Sequence, residues 1–242
     1  MHKIIDLGMH PFADTFIEEK FLSLSEPVYP LECFLNEDSA EIKLGISTKA
    51  EERYNLYNYS YTSSNSAFSR KHWEHYARDV LEKTRLSPGS TIIELGSNDG
   101  FLSRQFQGLG HRVYGVDASS YMADLASQAG VKTYNLLFDS QSSQYLKDEV
   151  GQANLIIANN IFNHSNNPLD FARATADLLS ENGTFIYELP YWYNTIKDQR
   201  FDQIYHEHIT YFTAKYSLYL LKKAGLYINE IEVVDYHGGS LR

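Results

Sequence analysis

One segment constrains the fold more than any other. The apolar run Thr91-Ile92-Ile93-Glu94-Leu95 reads as a strand, breaks at Gly96-Ser97-Asn98-Asp99-Gly100, and gives way at once to a helical pattern over residues 100–109. Strand and helix patterns then alternate: strand 112–116, helix 120–129, strands 132–136 and 154–158, helix 168–179, and strand 184–189 behind the turn Glu181-Asn182-Gly183. A helix over 217–224, closed by Gly225, and a strand over 227–235 complete the pattern. Regular alternation of this kind marks a parallel sheet built from βαβ units. The expected fold class is therefore α/β, a doubly wound Rossmann-like sheet spanning residues 67–242, with residues 1–66 as an N-terminal appendage.

The glycine-bounded turn has a chemical reading. A chain that reverses sharply while a ligand lies on its backbone needs residues without a Cβ, or ones tolerant of positive φ. The helix N-terminus that follows offers unpaired N–H groups to a carboxylate. Asp117, twenty-one residues after Gly96, ends the second strand, where an acidic side chain can accept hydrogen bonds from both hydroxyls of a ribose. The dinucleotide pattern G-x-G-x-x-G is absent, since no glycine stands at its second position and Phe101 holds the third. S-adenosylmethionine is the expected ligand, with S-adenosylhomocysteine as product. A bare strand–helix turn and a nicotinamide or flavin site are the alternatives. The residues expected to hold it are Glu94, Gly96, Ser97, Asn98, Asp99, Gly100 and Asp117, with Asn159 after the fourth strand.

Charge and composition narrow the partners. The net charge of -10, with no basic run, argues against nucleic acid, which demands clustered Lys and Arg. Cys33 is the single cysteine, so an internal disulfide and a cysteine-based zinc site are excluded, and no metal is expected. No signal pattern opens the chain and no apolar run approaches about eighteen residues, so a soluble, cytoplasmic protein without membrane contact is expected. Nineteen Tyr and thirteen Phe are enough to fill a core and also to wall a pocket for a ring-shaped ligand.

In the first 66 residues, the alternating segments 29–34 and 40–44 flank Asn36-Glu37-Asp38-Ser39 and are expected to pair as a hairpin. Four tyrosines crowd residues 54–61. A helix is expected over 67–83, with Trp73, Tyr76, Ala77, Val80 and Leu81 on one face and Ser87-Pro88-Gly89 as its stop.

Titratable groups gather in the loops after the fourth and fifth strands: His164 in one, Tyr205, His206, Glu207 and His208 in the other. In an open α/β sheet, ligands bind outside the carboxyl ends of the strands. Methyl transfer to carbon, nitrogen or hydroxyl usually requires a proton to be removed, and histidine is the side chain best matched to that near neutrality. A neighbouring carboxylate can support the imidazolium, and a tyrosine hydroxyl can donate to a developing enolate oxygen. The histidines could instead be structural, or His206 and His208 could bind a metal. His237-Gly238-Gly239-Ser240 suits either close approach to a ligand or a turn between strands.

Five stretches together resemble the sugar C-methyltransferases that act on nucleotide-linked 4-keto sugars. They are Leu7-Gly8-Met9-His10-Pro11-Phe12-Ala13-Asp14-Thr15-Phe16, Tyr61-Thr62-Ser63-Ser64-Asn65-Ser66, the loop from Glu94 to Gly100, the segment from Phe201 to Phe212 containing Tyr205-His206-Glu207-His208, and His237-Gly238-Gly239-Ser240-Leu241-Arg242. The resemblance implies methylation of a carbon beside a ketone: a base takes the acidic proton and the enolate attacks the methyl. It implies that Tyr61, His164, Tyr205, Glu207 and His208 are the catalytic set, with His208 or His164 as base and Tyr205 and Tyr61 orienting the enolate. His206, His237, Gly238 and Gly239 are expected to contact the substrate. The chain departs from that family in lacking the zinc cysteines of the N-terminal domain, of which residues 1–66 would be a metal-free relic. It also stops where members continue into a C-terminal domain that holds the nucleotide. A shortened chain, a partner chain or homo-oligomer that completes the acceptor site, or a smaller acceptor methylated on oxygen or nitrogen would each account for that. A cofactor-binding subunit inactive by itself is the further alternative.

Overall fold

In the computed structural model, residues 1–13, 17–55 and 61–242 are described. Asp14, Thr15, Phe16, Tyr57 and Tyr59, which figure in the sequence reading, lie outside the described residues. The chain divides into two compact units: Met1–Ser60 with Asn160–Leu169 and Glu188–Arg242, and Tyr61–Asn159 with Asp170–Tyr187. These units interleave along the chain and do not follow a single cut at residue 66.

The first unit begins with strands β1 (His2–His10), β2 (Tyr29–Asn36) and β3 (Glu41–Leu44), then helix α1 (Ala50–Asn55). In the second unit follow α2 (Ala67–Thr84), β4 (Thr91–Leu95), α3 (Phe101–Gly108), β5 (Arg112–Asp117), α4 (Ser120–Gln128), β6 (Lys132–Asn135), α5 (Ser140–Val150) and β7 (Ala153–Ile157). After a segment of the first unit come α6 (Pro168–Leu178) and β8 (Leu179–Ile186). The first unit is completed by β9 (Leu189–Pro190), α7 (Trp192–Lys197), β10 (Thr210–Tyr211), α8 (Ala214–Lys223), β11 (Val233–Val234) and β12 (Ser240–Leu241).

The second unit is the doubly wound sheet. Its strands run in the order β6-β5-β4-β7-β8, and every pair is parallel. All five residues of β4 are buried, as expected for a strand covered on both faces. The chain builds outward from β4 through β5 to β6, then crosses back to β7 on the other side. The carboxyl end of β4 is thus the topological switch point, where such sheets bind ligands. Helix α2 is capped by Ser66, whose side chain accepts from the Ser69 N–H, and it buries Trp73, Tyr76, Ala77 and Val80.

Two expectations in this unit need correction. Helix α5 escaped the hydrophobic pattern because it buries only Ser143 and Leu146; its signal is the capping box between Asp139 and Ser142. The turn expected at Glu181-Asn182-Gly183 lies inside β8. Pairing steps from Ala153–Leu179 to Leu155–Thr184, so β8 spends extra residues in a bulge while β7 advances by two.

The first unit holds two antiparallel sheets. One has the order β1-β2-β3-β10 and includes the expected hairpin, with Asn36 opposite Glu41. Its core joins Leu31, Cys33, Ile42 and Leu44 to Trp192, Ile204 and Tyr211. Burial pushes the Cys33 thiol up to about 12, so it packs as a small apolar group. The other sheet is β11-β12-β9. The strand expected over 227–235 is reduced to β11, which pairs with β12 and not with the parallel sheet. Its apolar residues are not a core face: Tyr227 is 89% and Val233 56% exposed. The strand expected over 184–189 is likewise split, ending at Ile186 in one sheet and resuming as β9 in another. No helix among the described residues is long and apolar enough to cross a membrane, and none of their His, Cys, Asp and Glu side chains form a group of three placed to hold a metal.

Candidate active site

In the second unit, the loop after β4 is held from several sides. The N–H groups of Gly96 and Ser97 both donate to the Val116 carbonyl, at 2.7 and 3.1 Å. Asp117 accepts from the Asn98 N–H at 2.8 Å and from the Ser119 N–H at 2.9 Å. A carboxylate has about four lone-pair sites, so those two bonds leave room for ribose hydroxyls. Gly100 has φ +73°, and a Cβ there would stand 3.1 Å from both Ala126 and Val131. A side chain at Gly100 would press on Ala126 of α4 and on Val131 just ahead of β6, at a φ that L side chains rarely adopt, so this glycine sets the packing of the turn.

Asn98 and Asp99 do something the sequence did not indicate. The Asn98 side chain accepts from the Ser63 N–H at 2.8 Å and donates to the Tyr61 carbonyl at 3.0 Å. Asp99 accepts from the hydroxyls of Ser63 and Ser64. Both side chains therefore clamp the segment preceding α2 onto the loop. Tyr61, grouped with the acceptor residues on sequence grounds, has its backbone tied to the donor loop.

Three acids surround this turn. Glu94 is buried against Ser103 of α3, whose hydroxyl donates to it. Burial, with smaller contributions from Asp99 and Asp117, pushes Glu94 up to about 8, and burial raises Asp117 to about 6. The Ser97 hydroxyl and the Asn159 side-chain N–H₂ are both buried with no partner among the described residues, while the Asn159 carbonyl accepts from Tyr76 at 3.2 Å. Orphaned polar atoms beside an acidic turn fit a ligand with its own donors, acceptors and positive charge, as S-adenosylmethionine has.

Glu94 carries a pH prediction. Its folded value lies above the unfolded 4.5, so the folded chain keeps a proton that the unfolded chain releases. Its stabilisation is complete below about pH 4.5 and is lost as pH rises towards 8, by up to about 1.4 kcal/mol per unit. Urea denaturation should show Glu94→Gln losing less stability than wild type between pH 5 and 8. Parallel pH profiles would refute the assignment.

The first unit gathers the histidines. His164 and His208 lie with ring centroids 5.3 Å apart, and the Tyr205 ring lies 4.1 Å from that of His208, tilted 41° to it. His164, Glu207 and His208 are all buried. His208 Nδ1 lies 2.9 Å from the Gln203 carbonyl. Burial, with His237 nearby, lowers His208 to about 4 despite that bond. His164 is held well below its ordinary value by burial, then by His208 and Arg53. Both rings are neutral at neutral pH.

His206 is engaged elsewhere: Nε2 lies 3.3 Å from the Pro30 carbonyl, and the ring meets Phe12 and Tyr29 edge-on. It anchors the start of β2 and does not join the ring contacts of His164 and His208. His237, Gly238 and Gly239 have successive φ values of +50°, +78° and +103° in the turn between β11 and β12. A Cβ at Gly238 would strike Arg200, and one at Gly239 would strike Asn194. The close approach that these glycines permit is to side chains of this chain.

Two residues that the sequence did not single out hold His164. The Arg53 guanidinium donates to the His164 carbonyl at 3.1 Å, and the Tyr54 hydroxyl lies 3.0 Å from its Nδ1. Their partner stands more than a hundred positions away in the chain, which leaves no local pattern to read.

Comparison with known proteins gives the following. A family model described as a methyltransferase domain matches residues 69–231. C-methyltransferase NovU of Streptomyces niveus is 26% identical over 238 residues, covering 98% of this chain; the chain spans 56% of that protein's length. Among solved structures, an S-adenosylmethionine-dependent methyltransferase from Clostridium acetobutylicum aligns over 71% of this chain and 89% of its own, at TM-score 0.53 and 13% identity. Magnesium protoporphyrin IX methyltransferase from Synechocystis, with bound SAH, aligns over 72% of this chain and 82% of its own, at TM-score 0.51 and 14% identity. These two likenesses concern the fold alone.

Proposed function

Because this chain belongs to the methyltransferase-domain family and is an S-adenosylmethionine-dependent methyltransferase, we propose that it methylates a carbon next to a ketone in a nucleotide-activated sugar. The observation that carries this reading is the buried pair of neutral histidines, His164 and His208, with the tilted Tyr205 ring against the second. Transfer to a heteroatom needs at most one base. Transfer to carbon needs a base for the C–H and a donor for the oxygen on which charge develops. The 26% identity to a C-methyltransferase across nearly the whole chain supports the same reading.

In the proposed reaction, His208 Nε2 takes the proton from the carbon beside the ketone; that C–H bond breaks and its electron pair moves into the enolate. The enolate's negative charge offsets the penalty that burial places on the imidazolium. Tyr205 orients the enolate oxygen. S-adenosylmethionine, when bound, would supply an electrophilic methyl on a sulfonium, and Asp117, Ser97, Asn159 and the Gly96–Gly100 turn would hold it. The methyl would pass to the enolate carbon with the S–CH₃ pair left on sulfur, and His208 returns its proton to water.

The test is incubation with S-adenosylmethionine and nucleotide-linked keto sugars, following S-adenosylhomocysteine release and product mass. Without the methyl donor, deuterium should enter the carbon beside the ketone. Release only with acceptors lacking a ketone would replace this reading with oxygen or nitrogen methylation.

A further inference from the structure

His164 and His208 are chemically similar and adjacent, but their Nδ1 partners are opposite in kind. His208 Nδ1 faces the backbone carbonyl of Gln203, a group that can only accept, so Nδ1 carries the proton and Nε2 is left with a bare lone pair. His164 Nδ1 faces the Tyr54 hydroxyl. Between a phenol and an sp² imidazole nitrogen, the phenol is the better donor and the nitrogen the better acceptor, so the bond runs from Tyr54 O–H to His164 Nδ1. The proton of the neutral His164 ring then sits on Nε2. That atom is buried and has no partner among the described residues, and the whole residue is 8% exposed.

We infer that Tyr54 is a positioning residue that fixes His164 as an Nε2–H donor, making His164 the group that receives charge on the substrate's oxygen and leaving proton removal to His208 alone. The inference rests on the carbon-methylation reading for its substrate, but not for the tautomers. Arg53 strengthens the arrangement from the neighbouring position of α1. It is itself buried at 3% exposure and donates to the His164 carbonyl, so the backbone and the ring of His164 are both held by one turn of helix. Its charge also disfavours an imidazolium at His164, which keeps the ring a neutral donor. A neutral imidazole donating to a developing enolate acts by electrostatic stabilisation and not by general base catalysis.

The test has two arms. Imidazole ¹⁵N spectra of the wild-type protein, with no acceptor present, should show His164 protonated on Nε2 and His208 on Nδ1. In Tyr54→Phe, the His164 signals should shift towards a mixture of tautomers. Wild-type His164 protonated on Nδ1 would overturn the inference whatever the acceptor proves to be. In the second arm, His164→Gln keeps an N–H donor and should retain deuterium wash-in, lowered by about 10²–10³-fold or less, whereas His208→Gln should abolish it. Tyr54→Phe should lower kcat with the KM for S-adenosylmethionine unchanged. Equal loss of wash-in in the two glutamine variants would also overturn it. Correct tautomers without any wash-in would leave the inference standing for the rings and reject the carbon-methylation reading.

Discussion

Replacing His208 by alanine is expected to lower turnover by about two to four orders of magnitude, the range of a lost general base, with S-adenosylmethionine binding at wild-type strength. The two outcomes separate because His208 is not among the groups assigned to the donor. Calorimetry with the donor and single-turnover release of S-adenosylhomocysteine measure them. The pH profile follows from the same residue. With His208 lowered to about 4, the base is already neutral at pH 6, so the acid limb of kcat/KM should fall near pH 4 and not near 6.5. Undiminished turnover in a His208→Ala, His164→Ala double variant would eliminate proton abstraction by either ring.

The largest structural loss should come from Arg242→Ala. The Arg242 side chain donates to Glu188 Oε2 from Nε at 2.9 Å and from Nη2 at 2.8 Å, and to Glu232 Oε1 from Nη1 at 3.1 Å. Glu188 is fully buried, with 0% side-chain exposure against 9% for Arg242. Removing the cation strands a carboxylate out of water, which costs about 3–5 kcal/mol where such pairs have been broken. Pairing Arg242→Met with Glu188→Gln should recover most of that loss, since the penalty belongs to the uncompensated charge. A change below about 1 kcal/mol for Arg242→Ala in urea denaturation would mean that water reaches the pair.

Much of the fold was legible in the sequence where burial is one-sided in its demands. The bounds of β4 coincide with the apolar run because both faces are covered, and the β2–β3 hairpin and α2 follow their patterns. Strand β1 was not legible, because its residues are mostly exposed and carry no alternation. The polar α5 and the break between β8 and β9 were hidden for related reasons: pairing and capping, not side-chain polarity, decide them. In the site, the Gly96–Gly100 turn could be read because its residues are contiguous. That Asn98 and Asp99 bind Ser63 and Ser64, that His206 supports β2, and that Tyr54 and Arg53 hold His164 depend on partners distant in the chain.

The sheet order β1-β2-β3-β10 has a consequence for how this chain is made. Ile42 of β3 pairs with Tyr211 of β10, so that strand waits for its neighbour until nearly all of the intervening chain has left the ribosome. During that interval β3 presents an open edge carrying Ile42 and Leu44, both destined for the core. Contacts so remote in sequence form late, and unpaired edges are where nascent chains meet one another. The yield of native protein should therefore fall when synthesis runs in a warmer or more crowded cell.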